Sequence, residues 1–520
     1  MSESFAQQGF LIGYLLVLLL IATYGLHRYV LVYLYIKHRD NGYHPKSRFG
    51  ELPRVTVQLP MYNEDMVAER IIRATCLIDY PKNKLQIQVL DDSPDPPAGI
   101  ARRTVDEMSA AGHNIVYIHR EKRTGYKAGA LEEALPQATG EFIAIFDADF
   151  IPPRDLLHNV VHFFTDDKIG MVQVRWDHLN RDASILTKSQ AMFLDGHFVI
   201  EHTARNRSGR FMHFNGTAGV WRRTTIADGG GWQHDTLTED LDLSYRCQVK
   251  GGQFVYLPQY AAPAELPPEI ISFKQQAHRW TKGSMQTAIK LLPGLLRSKH
   301  LSWRIKTEAF FHLTNTIVYP LMVMLTLMMY PAFIYTDGPI KHHPWANWLF
   351  GATLFVLATC SAGTFFVYAQ RELFGRQAGW RSLTQLPFLM ALGVGVSLNN
   401  CKAVFEAFWT GLRRKPSEFV RTPKYGVTGK KRTSFQAQSV WTFSKLALPI
   451  VEIAFGIYML CFLFISLYYG YALMSVPFLC IFAGGYLYVG CSSLYVLWKM
   501  QREVEAAQEE PIVEPIEAAA

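Results

Sequence analysis

The stretch Glu141–Phe150, "EFIAIFDADF", ends an apolar run in two aspartates that one small residue separates. A short apolar run of this kind predicts a buried strand, which places Asp147 and Asp149 at the carboxyl end of that strand. Two carboxylates this close together repel each other and are costly to desolvate. We therefore expect a positive charge to lie between them.

The same strand belongs to a repeating pattern that begins at Arg54. Short β-rich runs alternate with helical stretches: "RVTVQL", "LQIQVL", "NIVYI" and "EFIAIF" precede helical segments near 64–79, 98–111, 126–138 and 154–165. This alternation predicts an α/β domain with a mostly parallel, doubly wound sheet. Ligands bind beyond the carboxyl ends of such strands, and "PMYNE" (60–64), "DDSPD" (91–95) and "DADF" (147–150) lie there. The chain has neither GxGxxG nor GxxxxGK[ST], so a dinucleotide fingerprint and a Walker A loop are excluded.

The composition indicates a membrane protein that carries a large aqueous domain. Of the 520 residues, 49% are hydrophobic and 18% are charged. Long uncharged runs stand apart from an ordinary soluble-type stretch between about residues 50 and 290. The formal charge is +8, but the segment 409–433 holds eight Lys or Arg against Glu418. A basic loop beside the membrane explains this charge, and binding to nucleic acid is not supported.

Five apolar runs are long enough to cross a bilayer: about 10–36, 308–335, 345–370, 446–467 and 478–498. Basic residues crowd 37–54 and 371–382 and are sparse in 336–348 and 468–477. The positive-inside rule then predicts an amino terminus outside and a cytoplasmic location for 37–307 and the carboxy-terminal tail. A plasma or inner membrane is the expected location.

The segment 383–409 does not fit a single crossing, because basic loops flank it on both sides. We expect a helix in the membrane interface or a re-entrant element. Its wet side would carry Asn399, Asn400, Lys402 and Glu406.

Downstream strings complete a set of motifs in a fixed order. "VQLPMYNE", "IQVLDDS", "GYKAGAL" and "AIFDADF" are followed by "FNGTAGVW" (214–221), "TEDLDL" (238–243), "HRW" (278–280) and "FVRTPK" (419–424). With these motifs the chain resembles the processive family 2 inverting glycosyltransferases of the cellulose synthase superfamily, with a GT-A fold. It is most similar to the plant cellulose-synthase-like A and C groups, which make β-1,4-mannan or glucomannan and the glucan backbone of xyloglucan.

The resemblance implies a site for a nucleotide-sugar donor. Asp147 and Asp149 would bind Mg²⁺ or Mn²⁺, and the metal would neutralise charge on the departing diphosphate. Nucleoside contacts would come from Asn63, Glu64, Asp91 and Asp92. The alternatives are an Asx-type turn for Asp91, favoured by Ser93 and Pro94, and a helix-capping role for Asn63 and Glu64.

Lys127 and Asp240 have the clearest chemical roles. Lys127 would contact the diphosphate, because a cation at a helix amino terminus needs an anionic partner; the alternative is a solvated lysine. Asp240 would be the general base that accepts the proton of the acceptor hydroxyl, and Glu239 would contact the acceptor. The alternative is that Glu239, Asp240 and Asp242 charge and cap a helix that starts after Thr238, which is the role we expect for Asp242.

The string "QQAHRW" supplies the acceptor side of the predicted site. Arg279 offers a planar, charged fork for phosphate oxygens, while Trp280 offers a face for a sugar ring and Gln276 would contact the acceptor. The alternative is an amphipathic interface helix. We interpret His278 and His234 as structural, since neither has metal-ligand spacing.

"FVRTPK" resembles the gating loop that closes over the donor in cellulose synthases. Phe419 would anchor this loop, while Thr422 and Lys424 would contact the diphosphate. Pro423 departs from the usual family pattern and stiffens the segment. A plain basic loop on anionic lipid is the alternative.

The sequence thus predicts a membrane-embedded processive β-glycan synthase that transfers glucose from UDP-glucose or mannose from GDP-mannose to a growing glycan acceptor. A single-transfer glycolipid synthase of the ceramide glucosyltransferase type is the alternative, and a non-enzymatic transporter would leave the carboxylates unexplained. The predicted organisation is listed by residue number: membrane helix and linker 1–50, GT-A domain 51–270, interface helices 271–307, two membrane helices 308–370, interface or re-entrant helix 383–412, basic gating-type loop 413–440, two membrane helices 441–499 and tail 500–520.

Overall fold

The computed structural model describes residues 2–94, 99–336, 360–413, 426, 442–468 and 476–509. Among them, residues 55–264 build one mixed sheet, and most of the remaining residues form long helices.

The seven strands are β1 Val55–Met61, β2 Leu85–Asp91, β3 Ile115–His119, β4 Phe142–Ile145, β5 Ile169–His178, β6 Gly219–Arg222 and β7 Gln253–Ala264. Their order in the sheet is β3-β2-β1-β4-β6-β5-β7. All pairs are parallel except those of β6, which runs antiparallel to β4 and β5. The predicted mostly parallel sheet is confirmed, and the mixed sheet is that of a GT-A fold.

Helices of the aqueous part cover both faces of the sheet. They are α2 Asp65–Cys76, α3 Ile100–Ala110, α4 Tyr126–Ala134, α5 Leu156–Val160, α6 Ile185–Asp195, α7 Thr203–Arg207, α8 Arg223–Asp228 and α9 Glu239–Val249. A π-helical segment, Gly196–His202, joins α6 to α7 without a break. One apolar core packs α2 and α3 against the sheet, and a second packs α4 and α9 against its other face. Burial of the sheet on both faces explains why its strands read as nearly continuous apolar runs.

The other α-helices of the described residues are α1 Ser2–His38, α10 Ile270–Arg297, α11 Trp303–Thr314, α12 Val318–Thr336, α13 Cys360–Phe374, α14 Arg376–Ser382, α15 Leu386–Gly395, α16 Ser397–Arg413, α17 Phe443–Tyr468 and α18 Val476–Glu509. Within the described residues, four helical stretches are long and apolar enough to cross a membrane: 6–38, 303–335, 445–468 and 476–506. These four coincide with four of the five predicted crossings. The fifth, 345–370, falls largely outside the described residues, and α13 covers its end.

The segment 383–409 forms a broken helix. Its two parts, α15 and α16, meet at an angle of 42° and together are apolar enough for a broken span or a re-entrant loop. Lys402 is exposed, but Asn399 and Asn400 are buried in protein, and the Asn399 amide donates to the backbone oxygen of Lys274 at 3.0 Å. The predicted wet side was therefore wrong for both asparagines, because α10 covers that part of α16.

A buried ion pair connects α10 to the apolar helix α17. The Lys274 ammonium donates to Oε2 of Glu452 at 2.8 Å and to the Ser493 hydroxyl of α18 at 3.2 Å. Both charged side chains are buried. The pair holds α10 in register against the two apolar helices.

We expect Glu452→Ala to lower the free energy of unfolding by about 3–5 kcal/mol, because it leaves the Lys274 charge buried without its partner. The double variant Lys274→Met, Glu452→Leu should recover most of this loss, since it removes both charges. Thermal unfolding of the purified protein in detergent measures the effect, with the exposed Lys402→Ala as the control. A double variant no more stable than Glu452→Ala would contradict this account.

Candidate active site

A cavity of about 400 Å³ opens at the carboxyl ends of the central strands. Most of the sequence motifs contribute to its wall. The lining residues that the motifs predicted are Glu64, Asp92, Lys127, Asp147, Asp149, Glu239, Asp240, Gln276, Arg279 and Trp280. Because these residues come from six separate segments, only the fold brings them together.

Asp147 and Asp149 follow β4, on either side of the fully buried Ala148. Both aspartates are half-buried on the cavity wall. The backbone N–H of Asp147 donates to the Thr217 hydroxyl at 2.9 Å, which ties the motif to the loop before β6. Two carboxylates on one cavity wall are a suitable ligand set for a hard divalent cation.

Lys127 supplies a positive charge beside Asp147, while a cation between Asp147 and Asp149 stays a prediction. The Lys127 ammonium, in the first turn of α4, donates to Oδ1 of Asp147 at 2.5 Å and to the backbone oxygen of Gly216 at 2.9 Å. The anionic partner that we expected for Lys127 is thus the Asp147 side chain. Contact of Lys127 with a diphosphate stays a prediction.

Gly216 allows the cavity wall to close around this contact. It has φ +80, and a Cβ at this position would lie 2.9 Å from Oδ2 of Asp240 and 3.4 Å from Nζ of Lys127. Any larger residue would be strained in this left-handed conformation and would collide with the Asp240 carboxylate. The glycine of "FNGTAG" is therefore needed for close approach.

Asp240 and Glu239 lie in the first turn of α9. Oδ1 of Asp240 accepts from the backbone N–H of Leu241 at 2.8 Å. Burial, followed by the charge of Glu239, raises the pKa of Asp240 to about 7, and burial also raises the pKa of Glu239. A carboxylate with such a pKa is suited to accept a proton near neutral pH.

The other acidic residue of this motif is structural. Asp242 is fully buried and binds Arg246 at 2.8 Å and Lys290 at 2.9 Å. Thr238 precedes α9 without capping it, and its hydroxyl lies 3.2 Å from that of Thr287. Asp240 lies in the first turn of α9, so the alternative that it charges the start of this helix stays open beside the general-base prediction.

Helix α10 supplies the opposite wall of the cavity through Gln276, Arg279 and Trp280. Burial lowers the pKa of Arg279, while the carboxylates of the site oppose this shift. His278, also on α10, lies 3.4 Å from the Glu406 carboxylate of α16, which fits the predicted structural role.

The structure distinguishes the two aspartates of "DDSPD". Oδ1 of Asp91 accepts from the backbone N–H of Ser93 at 3.0 Å, and Oδ2 accepts from the Tyr117 hydroxyl at 2.9 Å. This is the Asx-type turn of the alternative interpretation. Asp92 lines the cavity and forms a two-point ion pair with Arg120. A nucleoside contact by Asp91 stays a prediction, and Asp92 is the better placed of the two.

"PMYNE" contributes an aromatic residue that sequence reasoning missed. Glu64 lines the cavity and precedes α2 without a side-chain capping bond, while Asn63 has φ +54 and its N–H donates to the Ser93 hydroxyl. Between these motif residues and α4, the Arg123 guanidinium stacks 3.4 Å above the centre of the Tyr62 ring. Both side chains line the cavity. Tyr62 lies within the quoted motif "VQLPMYNE", whereas Arg123 lies two positions before the first residue of "GYKAGAL".

The gating residues Phe419, Thr422 and Lys424 lie outside the described residues. Gly426, two positions further on, is described and lines the cavity. Its N–H donates to Oε2 of Glu265 at 3.1 Å. The basic segment therefore reaches the cavity at this point.

The sequence of this chain is similar to those of several known proteins. Residues 53–283 match the family described as Glycosyltransferase like family 2. The chain is 33% identical over 451 residues to glucomannan 4-beta-mannosyltransferase 7 of Arabidopsis thaliana, covering 84% of this chain and 77% of the relative. It is 37% identical over 299 residues to glucomannan 4-beta-mannosyltransferase 1 of Oryza sativa subsp. japonica, covering 56% and 57%. A solved structure, the mannosyltransferase PcManGT from Pyrobaculum calidifontis in complex with GDP-Man and Mn²⁺, is 21% identical with a TM-score of 0.49, covering 72% of this chain and 98% of that chain.

If Asp240 is the base, kcat/KM should fall as the pH drops through about 7, because only the ionised carboxylate accepts a proton. At lower pH the decline should approach about tenfold per pH unit. Asp240→Asn should lower kcat by about 10²- to 10⁴-fold while donor affinity stays near normal. Initial rates over a pH series, together with equilibrium donor binding, measure both effects.

Asp149→Asn provides the contrast, since it should weaken metal-dependent donor binding itself. A near-normal turnover number for Asp240→Asn would show that another group is the base.

Proposed function

Because the chain belongs to glycosyltransferase family 2 and is an inverting glycosyltransferase, we propose that it is a membrane-embedded, processive β-glycan synthase. The observation that carries the proposal is the convergence of Asp147, Asp149, Asp240 and Arg279 on one cavity, in a chain whose similarity to a glucomannan 4-beta-mannosyltransferase extends over 84% of its length. That coverage reaches well beyond the aqueous domain, which favours the polymerase over the glycolipid synthase.

The residues present fit a divalent metal and a nucleotide-sugar donor. Asp147 and Asp149 would hold Mg²⁺ or Mn²⁺, which supplies positive charge for the departing diphosphate. Lys127 and Arg279 add two cations to the same cavity, and Asp92 and the Tyr62–Arg123 stack, which line it too, would contact the nucleoside. Of the two predicted sugars, the names of the relatives favour mannose.

In the proposed reaction, Asp240 accepts the proton of the acceptor hydroxyl as that oxygen attacks the anomeric carbon. Attack from the face opposite the diphosphate gives the inverted, β-linked product. The raised pKa of Asp240 matches this role, because a carboxylate with a pKa of about 7 is a stronger base than an ordinary aspartate and is still about half ionised near neutral pH. Trp280 offers an apolar face to the acceptor sugar, and Glu239 and Gln276 lie beside it for hydroxyl contacts.

Turnover of GDP-mannose and UDP-glucose should be compared with the purified protein in detergent, with Asp240→Asn as the inactive control. We expect release of nucleoside diphosphate from GDP-mannose in the presence of Mg²⁺ or Mn²⁺, and a radiolabelled product that elutes as a polymer. Transfer of a single sugar to lipid would replace the polymerase with the glycolipid synthase. No release from either donor would reject the proposed substrate class.

We further propose that the segment 419–424 closes over the bound donor. Gly426 lies on the cavity wall, only two residues after Lys424, so Thr422 and Lys424 are within chain reach of the diphosphate. The combined variant Thr422→Ala, Lys424→Ala should lower turnover at saturating donor by about 10- to 100-fold, the value of one or two charge-assisted hydrogen bonds.

The matched control is Lys430→Ala, Lys431→Ala, which removes two charges from the same basic segment but leaves "FVRTPK" intact. If Thr422→Ala, Lys424→Ala keeps wild-type turnover, the segment does not gate the site. If both double variants lower turnover equally, the segment acts only through its charge.

A further inference from the structure

Three histidines meet beside the catalytic cavity, outside the motifs that define it. His197 and His202 come from the π-helical segment Gly196–His202, and His213 from the loop that leads into "FNGTAG". One ring nitrogen from each lies within 4.8 Å of the others. A cluster of three neutral imidazole nitrogens is a typical ligand set for zinc and related transition metals.

The π-helical register creates this cluster. In an α-helix, side chains five residues apart point about 140° away from each other. In the wider π turn they return to one face, and the rings of His197 and His202 lie with centroids 4.4 Å apart. The His213 ring completes the group, 4.9 Å from that of His202. π-Helical segments are rare and are frequently found at functional sites.

His197 already has a carboxylate beside the ring nitrogen that would not bind the metal. Its Nδ1 lies 3.0 Å from Oε2 of Glu201, which places the ring proton on Nδ1 and leaves the lone pair of Nε2 directed at the cluster. Carboxylate–histidine pairs of this kind orient metal ligands in many proteins. Glu201 also accepts from Arg205 at 3.0 Å, and Arg205 donates to Glu308 at 2.9 Å, so one guanidinium connects the two carboxylates.

His202 is poorly satisfied for a buried histidine. It is fully buried, and neither ring nitrogen forms a hydrogen bond of standard geometry with a described residue, although the Asn215 side chain interacts with its ring. Buried polar atoms are normally paired, because leaving them unpaired costs free energy.

Asn215 supplies a fourth ligand position. Its Nδ2 lies 3.0 Å from Nε2 of His197 and 3.0 Å from Nε2 of His213, while its Oδ1 is buried without a hydrogen-bond partner in the described part of the chain. Rotation of the amide by half a turn exchanges these two atoms and brings the oxygen to face both imidazoles. Ligand atoms around a tetrahedral zinc with bonds of about 2.0 Å are about 3.3 Å apart. The two separations from Asn215 are close to this value, whereas the three histidine nitrogens lie within 4.8 Å of one another and would move closer together to share one ion.

We propose that His197, His202 and His213, with the side-chain oxygen of Asn215, bind a structural zinc ion. Four protein ligands give a closed site, which is typical of structural rather than catalytic zinc. The ion would clamp the π-helical segment to the loop 213–217. That loop positions Gly216 and Thr217, which contact Lys127 and Asp147. The clamp would thus hold the wall of the catalytic cavity.

The test uses the full-length protein in detergent, stripped with a chelator, loaded with Co²⁺ and passed through a desalting column in excess Mg²⁺. We expect the wild type to retain one Co²⁺ per chain with the intense visible absorption of tetrahedral coordination, and Zn²⁺ to abolish this spectrum and raise the unfolding temperature. His202→Phe and His197→Gln should retain no Co²⁺, and Zn²⁺ should not change their unfolding temperature. None of these readouts depends on glycosyl transfer, so the site is tested independently of the proposed function.

Two controls separate this site from others. Asp149→Asn should keep the Co²⁺ spectrum, because it changes only the oxygen ligands of the catalytic cavity. His312→Gln should keep it as well, since His312 packs against His213 without belonging to the cluster. The proposal is overturned if the wild type retains no more metal than His202→Phe, or if the spectrum depends on Asp149 instead. In that case, His202→Phe should leave stability unchanged or raise it, as expected of a plain aromatic core.

Discussion

The architecture of the site depends on holding several carboxylates close together in a partly buried cavity. Asp147 and Asp149 come from the end of β4, and Glu239 and Asp240 from the first turn of α9. Like charges at these distances repel strongly where solvent screening is weak. Lys127 and Arg279 offset part of the charge, and a bound cation would offset more. Burial, followed by the neighbouring charge of Glu239, raises the pKa of Asp240, which is the consequence expected of such a cavity.

This requirement explains features far apart in the sequence. Gly216 must be a glycine because a Cβ would contact the Asp240 carboxylate. Helix α10 must pack closely because Arg279 supplies one of the cations. That helix is in turn fixed to apolar helices, through Lys274 and Glu452 at one point and through Lys282 and Glu406, 3.1 Å apart, at another. The catalytic cavity and the helices predicted to cross the membrane therefore share one structural element.

Much of this organisation could be predicted from sequence. The alternation of β-rich and helical runs predicted β1 to β4 and their helices, since burial on both faces makes such strands recognisable, and the motifs predicted which strand ends would carry polar residues. The partner of Asp147 could not be predicted, because Lys127 is distant in sequence and only the fold brings the two together. The burial of Asn399 depends likewise on the packing of α10. The histidine cluster could not be predicted either, because the sequence pattern of an α-helix does not reveal the π-helical register that brings His197 and His202 to one face.

Binding of Mn²⁺ to the purified protein, followed by electron paramagnetic resonance with and without GDP, tests the central claim most directly. If Asp147 and Asp149 hold a metal that shares a nucleoside diphosphate with Lys127 and Arg279, then GDP and Mn²⁺ must each tighten the binding of the other. We expect weak Mn²⁺ binding alone, and binding at least about tenfold tighter with GDP, a typical coupling of two ligands. Mn²⁺ affinity that GDP does not change, or that Asp149→Asn leaves intact, would contradict the account.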